Sequence, residues 1–163
     1  MSAILDSLKD HPLQRFEAGT VIIEEGTSTG RLLVLAEGAV SVMKGDVQVA
    51  TAAEPGAVFG ELSALLGTPH TATVRTTQPC AFYVVEEPLV ALETTPKLAL
   101  HVCELLGRRL DALNKYLVDV KHQYEGHDHL SMVDGVLETL MHRQPRQHIR
   151  PSDSTIRKSE PAE

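Results

Sequence analysis

Three observations predict a mainly β fold with flanking helices. Short valine- and threonine-rich runs follow one another between Leu13 and Val85, glycines fall where the runs end, and the texture changes to helical periodicity after Glu86. Runs of this length, recurring about every 8–12 residues, indicate an antiparallel sandwich or barrel. At 163 residues the chain is long enough to bury one core and too short for two of ordinary size. With 42% hydrophobic and 23% charged residues, its composition is that of a soluble protein.

Taken in order, residues 1–12 are read as an N-terminal helix. Ile4, Leu5 and Leu8 share one side of it, and Pro12 stops it. Residues 13–87 hold the runs VIIEEG, RLLVLAEG, AVSVMKG, DVQVATA, TATVRT and AFYVVEE. Gly26, Gly30, Gly38, Gly45 and Gly56 mark their ends, and Lys44, Gly45 and Asp46 form a tight hairpin tip. Residues 88–125 are helical. Pro88 suits a first helical position in a short helix ending near Thr94, and Thr95 and Pro96 open a longer one reaching about Glu125. Residues 126–142 carry a last amphipathic piece, with Ser131 and Asp134 as a weak capping pair ahead of Val136, Leu137 and Leu140. Residues 143–163, rich in proline, serine and charge, are expected to be a disordered basic tail.

Along the long helix Ala99, Cys103, Leu106, Leu110, Leu113, Leu117, Val120 and Tyr124 are spaced alternately four and three apart, an a/d heptad seam. A second apolar set, Leu98, Val102 and Leu105, occupies another side of the first half only, so that half is expected to pack on its own domain and the seam beyond it to need a partner helix. A second copy of the chain is the simplest donor, which makes a homodimer through residues 99–124 the expectation. Leu113 is read as core.

Within the strand region the stretch FGELSALLGTPHTATV, residues 59–74, departs from strand patterning. Gly60 and Glu61 lead into a short apolar helix that Gly67 ends, and Pro69, His70 and Thr71 follow. A helix start offers unpaired backbone N–H groups to phosphate oxygens, whereas a glutamate repels phosphate and suits the hydroxyls of a sugar. Together these groups point to a nucleotide. A cation to face its phosphate is missing, and His70 stands where that cation would lie.

FGELSALLGTPHTATV resembles the phosphate-binding cassette of the cyclic-nucleotide-binding domain family, in which FGE and apolar residues are followed by PR(T/S)ATV at the same offset. The resemblance extends from about Leu13 to Glu125 and includes GTVIIEEG and RLLVLAEGAVSV. It implies an eight-stranded β jelly-roll barrel with a long C-terminal helix that lids the ligand and forms dimers in catabolite activator-like proteins. It also implies cAMP or cGMP as ligand, with no other cofactor. By the same resemblance Gly60 and Glu61 hold the ribose 2'-hydroxyl, while backbone groups near Leu62 and Ser63, with Thr71 and Ala72, surround the cyclic phosphate.

His70 replaces the arginine that the family pairs with the phosphate. Imidazole lacks the permanent charge and forked donors of a guanidinium. Three readings of His70 stand open: a weaker phosphate ligand, the mark of a different ligand, or a surface residue in a barrel that binds nothing. Under the first, a bound phosphate favours the protonated ring and binding tightens towards acid. Alignment of GRRLDALN with the family's long helix places Asn114 near base contacts, where it either bonds a purine edge or flanks the dimer seam.

Other classes are disfavoured. His142 to Lys158 gathers five basic residues against Asp153 alone, so the rest of the chain is more acidic than its formal net charge of -7 and suits a nucleic-acid face poorly. HLSMVDGVLETLMHRQP resembles the first helix of the winged-helix domain of bacterial relatives, but only 21 residues follow His142, and no direct DNA binding is expected. An enzyme is not expected: His70 is the sole histidine of the strand region, His122, His127 and His129 match no strong metal spacing, and no nucleophile-and-base pair or Walker-type loop is present. Acids at the N-terminus and the lack of a long apolar run argue against a signal peptide or membrane span, leaving a cytoplasmic location with Cys80 and Cys103 as buried thiols. The expectation is a homodimeric cyclic-nucleotide sensor acting on an unknown protein partner. The alternative is a degenerate domain of the same fold that binds no nucleotide and serves as a dimerisation or protein-interaction module.

Overall fold

The computed structural model describes residues 3–123. The expected helix at 126–142, the basic tail and Tyr124 lie outside these residues. The elements are α1 (Ala3–Asp6), β1 (Leu13–Phe16), β2 (Val21–Ile23), β3 (Leu32–Glu37), β4 (Val40–Lys44), β5 (Val47–Ala52), β6 (Val58–Phe59), α2 (Glu61–Leu66), β7 (Thr73–Thr76), β8 (Cys80–Val85), α3 (Pro88–Thr94) and α4 (Pro96–Gln123). The eight strands form two antiparallel four-stranded sheets, ordered β1-β8-β3-β6 and β2-β7-β4-β5.

The alternation of side chains along β3 explains why its sequence is apolar without a break. Leu33 and Leu35 point into a core with Ile23, Val40, Phe59, Val74, Phe82 and Val84, while Leu32 and Val34 join Ile4, Leu8, Val58, Val85, Leu98 and Val102 on the other side. Phe82 is fully buried and meets Phe16 and Phe59 edge-on, with ring centroids 5.9 Å and 6.1 Å away. β5 is an edge strand, and Val47 and Val49 on it are exposed. The β4–β5 hairpin turns where expected: Lys44 pairs with Val47, and Gly45 takes φ 55° at the tip.

The N-terminal helix is shorter than its apolar pattern suggests. After Asp6 the chain turns through hydrogen bonds from Leu8 N–H to Leu5 O and from His11 N–H to Leu8 O, and the Ser7 hydroxyl donates to Ile4 O at 2.7 Å. A serine that bonds the backbone three residues back offers an alternative to α-helix, and so short a segment has little cooperative helical stability of its own. Ile4 and Leu8 are nevertheless buried.

The chain divides into two compact units, residues 1–110 and 111–163. In the first, Leu98 and Val102 of α4 are buried against the domain, as their spacing predicts. Of the seam residues, Leu106 still packs half-buried against this core, whereas Cys103 and Leu110 turn away from it. Cys103 is exposed and Leu110 is 41% exposed, so only Cys80 is a buried thiol. In the second unit, described over 111–123, Leu113 is 46% exposed rather than core, and Lys115 pairs with Asp111 one turn away. Among the described residues no helix is long and apolar enough to cross a membrane.

Candidate ligand-binding site

Gly60 sets the geometry of the site. It adopts φ 85° as the residue before α2, and a Cβ added there would lie 2.6 Å from the Arg31 carbonyl oxygen and 3.5 Å from the His70 ring. Only glycine satisfies both the left-handed backbone and that close approach. The chain therefore turns sharply out of β6 into α2, which places Glu61 in the first turn with 5% of its surface exposed. Gly67 at φ 64° ends the helix by donating its N–H to Ser63 O.

A cavity of about 940 Å³ opens beside this turn. Gly60, Glu61, Leu62, Ser63, His70, Thr71 and Ala72 all line it, so the cassette residues singled out from sequence meet at one hollow. Val42 and Val74 supply apolar floor, and His101, Leu105, Arg108 and Arg109 of α4 complete the wall. Asn114, by contrast, lies in the second unit and is not among the lining residues. The Ser63 hydroxyl donates to Thr68 O at 2.6 Å, which ties it to the closing turn of α2.

His70 is 5% exposed, which excludes the reading of it as a surface residue. Its backbone pairs in both directions with the loop after β2: His70 N–H donates to Thr27 O at 2.7 Å, and Gly26 N–H donates to His70 O at 2.9 Å. Its ring Nε2 accepts the Thr29 N–H at 3.3 Å and lies 2.9 Å from the Thr29 hydroxyl. A backbone N–H can only donate, so Nε2 carries the lone pair and the proton of the neutral ring is on Nδ1. Burial pulls the imidazole below its ordinary pKa, which the Glu61 carboxylate opposes only in part. Protonating Nε2 would sacrifice the Thr29 N–H bond, a cost that a bound phosphate would have to offset before binding could tighten towards acid.

α4 brings two arginines to the cavity wall. Arg109 Nη1 donates to the Glu61 carboxylate, and Nη2 donates to Val58 O at 3.2 Å. The Glu61 side chain is 7% exposed and that of Arg109 is 50% exposed, so the pair joins a buried anion to a cation at the cavity wall. Arg108 borders the same cavity and has Glu104 at 3.8 Å, both largely in solvent. A signal for Arg109 was present. Leu98, Val102, Leu105 and Arg109 are spaced four, three and four apart, which puts a guanidinium on the helix face that packs against the domain.

Comparison with known proteins bears on the family and the fold. Residues 13–90 match the family model of the cyclic nucleotide-binding domain. A cAMP-dependent protein kinase regulatory subunit of Yarrowia lipolytica is 32% identical over 84 residues, which cover 52% of this chain and 21% of that relative. The fold is similar to that of Thermus thermophilus catabolite activator protein, with a TM-score of 0.61 and 19% identity over 85% of this chain and 80% of that one. It is also similar to cAMP-bound PfPKA-R, with a TM-score of 0.52 and 22% identity over 67% of this chain and 36% of that one. The chain thus spans only a fraction of the kinase regulatory proteins it resembles. The matched residues 13–90 hold all eight described strands and the whole cassette, and this part of the chain belongs to the cyclic nucleotide-binding domain family.

Proposed function

We propose that this chain is a regulatory cyclic-nucleotide sensor whose cavity takes cAMP or cGMP. One observation carries the reading: all seven cassette residues, from Gly60 to Ala72, line a single hollow of about 940 Å³, large enough for a small ligand. Glu61 retains acceptor capacity for a ribose hydroxyl, since a carboxylate offers about four lone-pair sites. The kinase regulatory subunit and the cAMP-bound structure among the similar proteins support the ligand class. Ligand in the cavity would act on α4, whose His101, Leu105, Arg108 and Arg109 form part of the wall. Leu110, Leu113 and Tyr116 expose apolar surface on that helix, which supports the homodimer through residues 99–124, with cytoplasmic location and a protein target as parts of the same reading.

Calorimetric titration with cAMP and cGMP tests it. Saturable heat with either nucleotide is expected, and silence with both abandons the sensor. A second reading, a dimerisation module of the same fold that binds no nucleotide, is favoured by His70 alone, because its ring is already bonded to Thr29 and burial opposes its protonation. Replacing His70 by arginine separates the two: in a competent cavity it should strengthen cAMP binding by about tenfold, the size of one charge-assisted hydrogen bond.

A further inference from the structure

We propose that the guanidiniums of Arg108 and Arg109 on α4 supply the positive charge that receives the ligand's phosphate. The inference rests on the nucleotide reading of the cavity and assigns the charge that the cassette lacks. His70 is less suited to the task, because its Nε2 is occupied by Thr29 and burial opposes protonation of the ring. The remaining cations bordering the hollow are these two arginines, among the described residues. Arg109 spends one N–H on Glu61 and one on Val58 O, which leaves three of its five donors for another acceptor. Those two bonds also fix the plane and position of the guanidinium, so Glu61 acts as its positioning residue. Arg108 has only a long, solvent-exposed pair with Glu104 and is free to turn towards an anion at small cost. A phosphate facing both arginines meets fork-shaped donors that stay protonated, with the Arg109 charge partly offset by Glu61, where an imidazole would have offered one conditional charge.

The test compares cAMP affinity by calorimetry in the wild type, Arg108→Gln/Arg109→Gln and Arg108→Lys/Arg109→Lys, with thermal unfolding of each variant as a fold control. The glutamine pair should bind cAMP about 10- to 100-fold more weakly, and the lysine pair should recover much of the loss because it keeps the charge. Wild-type affinity in the glutamine pair, or equal losses in both pairs, overturns the inference and leaves the nucleotide reading standing. A wild type that binds neither cAMP nor cGMP overturns both. If the glutamine pair unfolds because Glu61 is buried without its partner, adding Glu61→Gln to both pairs removes that charge, and the same comparison of glutamine with lysine decides.

Discussion

Substituting Gly60 by alanine should destabilise the fold far more than the same change at Gly67, although both glycines flank one short helix and both have positive φ. At Gly67 the new methyl meets nothing within 4 Å, so only the left-handed backbone at φ 64° resists it. That costs about 1–2 kcal/mol for an L-residue. At Gly60 the same backbone term applies at φ 85°, and the methyl would also stand 2.6 Å from Arg31 O, a backbone atom of the residue that leads into β3. Relieving such an overlap typically costs a further 1–3 kcal/mol, so the expected total is roughly 2–5 kcal/mol. Against an ordinary domain stability of about 5–15 kcal/mol, this is a large fraction. Urea unfolding followed by circular dichroism should give that loss for Gly60→Ala and about 1–2 kcal/mol for Gly67→Ala, with unchanged slopes. Equal losses at the two glycines would refute the close approach to Arg31 and with it the account of how the cassette is shaped.

Arg109→Ala should cost about 1–3 kcal/mol by urea unfolding, less than a fully buried pair would because Arg109 is half-exposed; Glu61→Gln/Arg109→Gln should recover most of that loss. The pH dependence of stability follows from His70, whose pKa is lower in the folded chain than in the unfolded one. Its contribution is fully present above the unfolded value near 6.5 and is lost as pH falls towards and through the folded value, so Tm should drop between pH 7.5 and 5.5, and less so in His70→Gln. Affinity for cAMP should change little between pH 8 and pH 6, as Nε2 is already an acceptor for Thr29; a tenfold gain towards acid would show that the ring takes up a proton on binding. Light scattering should find wild-type dimers and Leu110→Glu/Leu113→Glu monomers, because both leucines lie exposed on the seam.

Much of this fold is legible from local pattern. Strand runs, the hairpin at Gly45 and the starts of α3 and α4 at Pro88 and Pro96 follow from propensity and turn chemistry that act within a few residues. The cassette, too, could be read as a unit because its residues are contiguous. What escaped depends on contacts between distant segments. The role of His70 is decided by Thr29, 41 residues away, and periodicity carries no information about which nitrogen accepts its N–H. Likewise, Glu61 was read as a sugar acceptor without its partner Arg109, 48 residues on, even though the stripe from Leu98 placed that arginine on the inward face. Cys103 was misjudged because a heptad seam and a core-facing stripe share the helix, and a cysteine fits either.

The central claim is that the cassette encloses a working nucleotide site. Amide chemical shifts recorded by nuclear magnetic resonance during a cAMP titration of the whole chain test it most directly. The account predicts saturable shifts concentrated at residues 60–63 and 70–72 and on α4 near Arg109. Amides at these positions that stay unmoved at millimolar cAMP and cGMP would contradict it.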